Sequence, residues 1–260
     1  MADPRDELAA NSGWSDLVRK IRARTPARVL AGRAGAAYRT DTQIQLREDH
    51  AAARDAVRAE FDLIAAFSAE FIEKWQLLEV RTRASSKDEY LLHPSLGREF
   101  SDAARSGISR RCEPGQDLQI AIGDGLSVPA IRAQAPALLP LLVAGAKERG
   151  WTVGQTFAIE YCRVGILNEI GELLKPRVAV LLIGERPGLA TAESLSAYMA
   201  YQPRAAHSDA NRNLISNIHA RGLSAEDAAA RILNLCAQMM KLGGSGYSLK
   251  EDRAACERNE

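Results

Sequence analysis

The sequence predicts an α/β protein built on a parallel sheet, and three observations carry that prediction. Val178 to Ile183 is an unbroken run of six apolar residues, half of them β-branched, as expected of a strand buried on both faces in the middle of such a sheet. Upstream, Asp117–Gly123 and Phe157–Tyr161 read as two more strands, each followed by a helical run, over 128–149 and over Ile166–Leu174. Strand, helix, strand, helix, strand is the pattern of right-handed crossovers. Third, the chemistry changes abruptly after the apolar run. Gly184-Glu185-Arg186-Pro187-Gly188 puts a carboxylate, a guanidinium and two glycines at a strand's carboxyl end, where open α/β sheets place ligands. Together these predict a three-layer, Rossmann-like parallel-sheet domain over 113–249. A mostly helical N-terminal region with a short strand pair precedes it over 1–112, and a charged tail follows over 250–260.

In chain order, the start MADPRDELAANSGW is polar and acidic, unlike a secretory signal. Leu8, Leu17, Val18 and Ile21 among charges, with Lys20, Arg22 and Arg24 late, predict a helix over 6–24. Thr25-Pro26 interrupts it, and 29–35 reads as a short extended piece with two glycines. Thr40 to about Glu73 predicts one long amphipathic helix, with Thr40, Asp41 and Thr42 as capping candidates. Leu77–Arg83 predicts a strand, 85–88 a turn leading to Glu89-Tyr90-Leu91-Leu92, and Ser95–Ala104 the cap and start of another helix. Near the end, Ser224 caps a helix that is apolar at Ala228, Ile232, Leu235, Met239 and Leu242 and stops at Gly243-Gly244. Its Cys236 and methionines read as core fillers.

Composition narrows the function. The formal net charge is +1, so no electrostatic surplus favours nucleic acid or an anionic membrane, and no apolar run reaches membrane-spanning length. Cys112, Cys162, Cys236 and Cys256 are widely spaced with no C-x-x-C pair, which fits a reducing cytoplasm and offers neither a disulfide framework nor a metal site. His50 reads as a surface side chain and His93, before a proline, as part of a turn; with His207 and His219 they form no ligand spacing.

No G-x-G-x-x-G, P-loop, G-x-S-x-G or H-E-x-x-H is present. What remains is a set of polar loops: Asp124-Gly125 after the first strand of the domain, 184–188 after the third, and Arg212–His219, which reads as a polar loop between the sheet and the last helix. Backbone N–H groups freed by glycine suit the amides, hydroxyls and phosphate of a large cofactor better than they suit bond breaking. Spacing alone also allows a solvated turn at 184–188 and an ordinary asparagine-rich loop at 212–219.

Five strings in order carry a resemblance. They are Thr25-Pro26-Ala27-Arg28-Val29 with Gly32-Arg33-Ala34-Gly35; Asp124-Gly125-Leu126-Ser127; Arg163-Val164 with Glu169-Ile170-Gly171-Glu172; Gly184-Glu185-Arg186-Pro187-Gly188-Leu189 with Glu193-Ser194-Leu195-Ser196; and Ile215-Ser216-Asn217-Ile218. From about Leu17 to about Leu249 the chain resembles the light (small) subunit of ethanolamine ammonia-lyase. The resemblance implies an adenosylcobalamin-dependent lyase that converts ethanolamine to acetaldehyde and ammonia by a radical route. It implies a separate large (heavy) subunit that binds substrate, cobalamin held between the two, and a higher oligomer of such pairs. The family's cobalamin contacts fall on Val164, as an apolar or backbone contact, on Glu185, as an acceptor to the cofactor's periphery, and on Leu214, where the family usually shows a cysteine. Cys162 stands where the family tends to have glycine. By loop position Asp124, Ser127, Arg186, Ser194 and Asn217 are further rim candidates, and no catalytic residue is assigned. A cytoplasmic location is expected, with a protein-shelled bacterial microcompartment left open. The competing reading is a stand-alone Rossmann-like protein that binds a nucleotide or another small molecule; the missing glycine fingerprint argues against it.

Overall fold

The computed structural model describes residues 16–25, 29–30, 33–188 and 191–251. Of the features above, 1–15, Pro26, Ala27, Arg28, Gly32, Leu189 and the chain from 252, with Cys256, lie outside the described residues. Residues 16–23 form helix α1, followed by a small hairpin of β1 (Arg33–Ala34) and β2 (Ala37–Tyr38).

The long helix expected over 40–73 is three helices: α2 (Thr40–Arg58), α3 (Leu63–Ala66) and α4 (Ala69–Trp75). The reason is capping. Asp62 accepts hydrogen bonds from the backbone N–H of Ile64 at 2.8 Å and of Ala65 at 3.1 Å, and Ser68 accepts from Phe71 N–H at 3.2 Å. Each restarts the chain inside what reads as one apolar period. Next come β3 (Leu78–Arg81), α5 (Lys87–Leu92) and, after a 3-10 turn over Pro94–Arg98, α6 (Asp102–Arg111), so 89–92 are helical and the helix expected at 95–104 starts later, capped by Ser101.

From there the expected alternation holds: β4 (Leu118–Gly123), α7 (Val128–Glu148), β5 (Phe157–Glu160), α8 (Ile166–Leu174) and β6 (Val178–Gly184). The sheet does not stop there. β7 (Leu195–Tyr201) and β8 (Asn213–Ile218) follow, then α9 (Ala225–Leu242), whose N-cap is Ser224 and whose end is Gly243 in the left-handed region. The six strands run in the order β3-β5-β4-β6-β7-β8, with β3 to β6 parallel and β7 and β8 antiparallel. The protein is thus a mixed α/β fold with a mostly parallel sheet, which corrects the expected all-parallel one, and 213–218 is a strand where a loop was expected. The pairing of β7 with β8 shifts register between Leu195 and Ala197. That irregularity separates the buried β8 residues Ile215 and Ile218 by three positions instead of two and hides the strand's alternation.

Both faces of the sheet carry apolar clusters. Leu118, Ile120 and Ile122 of β4 pack with α7 and α9, while Phe157 and Ile159 of β5 and Ala179 and Leu181 of β6 pack with α6 and α8. Among the described residues α7 is long and apolar enough to cross a membrane, with mean hydropathy 1.3, but its buried side, including Ile131, Leu138 and Leu142, lies in the first of these clusters. Cys236 and Met239 of α9 are fully buried there, and burial pushes the Cys236 thiol up to about 12. The segment beyond α9 is tied back to the outermost strand: Gly246 N–H donates to Asn213 Oδ1 at 2.7 Å, and Asn213 Nδ2 donates to Gly246 O at 3.2 Å and Leu249 O at 3.0 Å.

Candidate functional site

The loops at the carboxyl ends of β4, β5 and β6 meet through a buried polar knot. Asp124, fully buried, accepts from Cys162 N–H at 2.7 Å through one carboxylate oxygen and from Lys87 Nζ at 3.2 Å through the other. Burial pushes its carboxyl up, and Lys87 and the backbone donors of 161 and 162 pull it back. The Lys87 ammonium lies 5.3 Å from the Tyr90 ring and 5.2 Å from the Tyr161 ring. The Tyr90 hydroxyl reaches both Gly125 O and Cys162 O at 2.8 Å. Gly125 has φ +57°, and a Cβ there would strike Gly184 O, to which Leu126 N–H donates at 3.0 Å. Helix α5 therefore ties the β4 and β5 loops together, and the β4 loop in turn holds the end of β6. Sequence reading missed this contribution, because Lys87 and Tyr90 carry no motif and reach the site only through the packing of α5.

Above the knot is an open face. In antiparallel register Leu181 of β6 lies opposite Tyr198 of β7, and Tyr198 opposite Leu214 of β8, so the three share one side of the sheet. Val164 and Tyr198 are partly buried against the cluster that contains Leu181 and α8. Leu214 is 46% exposed. Arg163, beside Val164, is fixed by its backbone N–H on Gly97 O at 2.8 Å and by its guanidinium 4.3 Å from the Tyr90 ring centroid; its Nε is buried without a partner. Tyr198 is the central residue that sequence reading passed over, although alternation along LSAYMAY is a strand signal. Burial, then the Glu185 and Asp209 carboxylates, push its hydroxyl up.

Glu185 closes the upper edge. Its carboxylate accepts from Ser194 Oγ at 3.0 Å, from Ser196 Oγ and from Asn217 N–H at 3.2 Å, with Asn217 in the left-handed region at φ 60°. The structure brings Glu185, Ser194 and Asn217 together, sets Leu214 on the same side of the sheet as Tyr198, and packs Val164 against the same cluster as Tyr198. It does not bring Asp124 or Ser127 to the rim. Asp124 belongs to the knot, and Ser127, 1% exposed, caps α7 and donates to Ala192 O. Arg186 is exposed beyond β6. His219 is buried, His50 and His93 are exposed, and among the described residues no group of three or more His, Cys, Asp or Glu side chains lies close enough to hold a metal ion.

A partly buried tyrosine between two leucines, edged by a carboxylate clasp, gives this α/β protein one face that combines apolar area with fixed polar groups. The model of the ethanolamine ammonia-lyase light chain family matches residues 15–250. The chain is 43% identical over 243 residues to the ethanolamine ammonia-lyase small subunit of Clostridium perfringens, covering 94% of this chain and 80% of that one. It is 42% identical to that of Clostridioides difficile, at 94% and 81% coverage, and 40% identical to that of Clostridium acetobutylicum, at 89% and 93%. The chain belongs to the ethanolamine ammonia-lyase light chain family and is a lyase subunit.

Proposed function

We propose that this chain forms one wall of an adenosylcobalamin site in a two-chain enzyme that converts ethanolamine to acetaldehyde and ammonia, the other wall and the substrate site belonging to a large subunit. The observation that carries the reading is the open face around Tyr198. A corrinoid is a flat macrocycle with apolar faces and an amide-bearing rim, and the residues fit it: Val164, Tyr198 and Leu214 offer apolar area, and Arg163, next to Val164, has an Nε without a partner. When bound, adenosylcobalamin supplies a cobalt–carbon bond that breaks homolytically, and the protein supplies position and polarity.

In this reading Val164 and Leu214 meet the ring, the aliphatic Leu214 making an apolar contact where relatives usually carry a thiol. Glu185 has both carboxylate oxygens engaged within the chain, so it serves the site by holding Ser194, Ser196 and Asn217, and with them the β7–β8 irregularity, in place. We also read the fold as a Rossmann-like three-layer arrangement, supported by the apolar clusters on the two sheet faces, and the assembly as a higher oligomer of two-chain units.

The test is co-expression of the full chain with a large subunit, purification on a tag carried by this chain, and titration with adenosylcobalamin. Deamination activity is expected only in the two-chain complex. Glu185→Ala is expected to weaken cobalamin retention about tenfold with a folded complex, the loss of a charge-assisted clasp of roughly 1.4 kcal/mol. Activity of the isolated chain, or unchanged retention in Glu185→Ala, overturns the corresponding part of the reading.

A further inference from the structure

A cavity of about 640 Å³ lies beside α8, between that helix, the 3-10 turn carrying Arg98, and the 205–212 segment that leads into β8. This segment is fastened to α8. Asn168 Nδ2 donates to His207 O at 2.7 Å, Glu172 accepts from Ala205 N–H at 2.9 Å, and Gly171 leaves no room for a Cβ against Pro203 O.

The cavity wall holds hydrogen-bond donors that the fold does not use. The Arg212 side chain is 5% exposed; its two terminal nitrogens are taken by Asp209 and, at 2.9 Å, by Asn168 Oδ1, and its Nε is buried without a partner. His207 Nε2 accepts from Arg204 Nε at 3.1 Å, which places the ring proton on Nδ1, and Nδ1 is also buried without a partner. Burial and the charges of Arg204 and Arg212 hold this imidazole below its ordinary value, so it stays neutral near pH 7. A buried donor left without a partner has lost its water and gained nothing in return. Burial above all lowers the Arg212 guanidinium, Asp209 pulls it back up, and Arg98, on the same cavity, lowers it further.

The acidic residues on the wall are engaged, Glu172 by the Ala205 N–H alone and the others by arginines. Glu169 pairs with Arg105 at 2.6 Å and accepts from Phe100 N–H, Glu99 pairs with Arg83 at 2.7 Å, and Asp209 is held by Arg212. Arg98 makes no ion pair with any of the described residues. Two buried donors without partners, beside an arginine that carries no ion pair, are what an oxyanion relieves, because its oxygens accept from several donors at once and its charge pairs with the free guanidinium.

We propose that this cavity is an oxyanion site, in which Arg98, Arg212 Nε and the Nδ1–H of His207 hold a phosphate group. The site stands independently of the cofactor reading. The phosphate comes either from solution or from the phosphodiester of a corrinoid seated on the neighbouring face.

The primary test is calorimetric titration of the full chain with inorganic phosphate at low ionic strength. Saturable binding is expected, weakened about tenfold in Arg98→Gln and His207→Gln and lost in Arg212→Gln. Arg98 is exposed and carries no ion pair, so its variant is expected to fold even where removal of Arg212 does not. Absence of saturable binding, or equal affinity in Arg98→Gln and the parent, overturns the site. A second titration, of the two-chain complex with cobalamin and with cobinamide, which lacks the phosphodiester, assigns the source. Selective weakening of cobalamin by Arg98→Gln supports the cofactor's phosphate, and equal binding of both corrinoids supports a free anion. A complex that binds neither corrinoid overturns the cofactor reading alone, and the phosphate titration still decides this one.

Discussion

The parallel and antiparallel halves of the sheet are built to different rules. β4 and β6 are buried along their whole length, with apolar neighbours on both faces, whereas β8 buries Ile215 and Ile218 and exposes Leu214, Ser216 and Asn217. The first half is a scaffold whose residues answer to packing. The second gives up burial on one side and in return presents Tyr198 and Leu214. If the proposed cofactor wall is there, stability and ligand contact are separated along the sheet, and substitutions in the two halves should have opposite signatures.

The largest effect is expected at the knot. Asp124→Ala leaves the Lys87 ammonium, 6% exposed, without its partner, and should cost about 3–5 kcal/mol in urea unfolding. Asp124→Asn, which keeps an acceptor for Cys162 N–H, should cost less; equal loss in both would remove charge pairing from the explanation. Ile120→Ala, at a fully buried β4 position, should cost about 2–5 kcal/mol by the same measurement while corrinoid affinity per folded complex stays unchanged. Leu214→Ala inverts that pattern, with a change below about 0.5 kcal/mol in stability and a clear loss of corrinoid retention. A stability loss as large as that of Ile120→Ala would break the contrast.

The smallest effect is a pH dependence from the turn after β8. Burial first, then the Arg221 charge, hold the His219 imidazole below its ordinary value of 6.5, and its Nδ1 accepts from Arg221 N–H at 3.3 Å. The unfolded chain therefore binds this proton at higher pH than the native protein does. The contribution of His219 is complete above about 6.5 and is lost as pH falls through the lowered native value. Urea midpoints between pH 7.5 and 5.5 should fall less steeply in His219→Gln than in the parent.

How much of this was legible depends on how local the signal is. β4, α7, β5, α8, β6 and α9 were readable because long apolar runs and strong caps such as Ser224 specify them without help from the rest of the chain. The breaks at Asp62 and Ser68 were hidden because a cap inside an apolar period resembles a surface polar residue until its backbone partner is known. β8 was hidden by its register shift, and with it the partnership of Leu214 and Tyr198. Glu185 was visible in the sequence as a polar residue after a buried strand, but the donors that occupy it come from further along the chain: Ser194 just before β7, Ser196 in β7 and Asn217 in β8. Lys87, Arg98, His207 and Arg212 were unreadable as a group, since only the folded chain brings them to the loops and cavity they serve.

The pairing of Asn213 with Gly246 and Leu249 bears on self-association. An outermost strand offers its free amides and carbonyls to any identical strand, and copies can zip together into ribbons. By fastening Gly246 and Leu249 to the start of β8, this side chain covers part of that border at the cost of one asparagine. Trimming the polypeptide after α9 should therefore favour polymerisation well before it unfolds the buried interior.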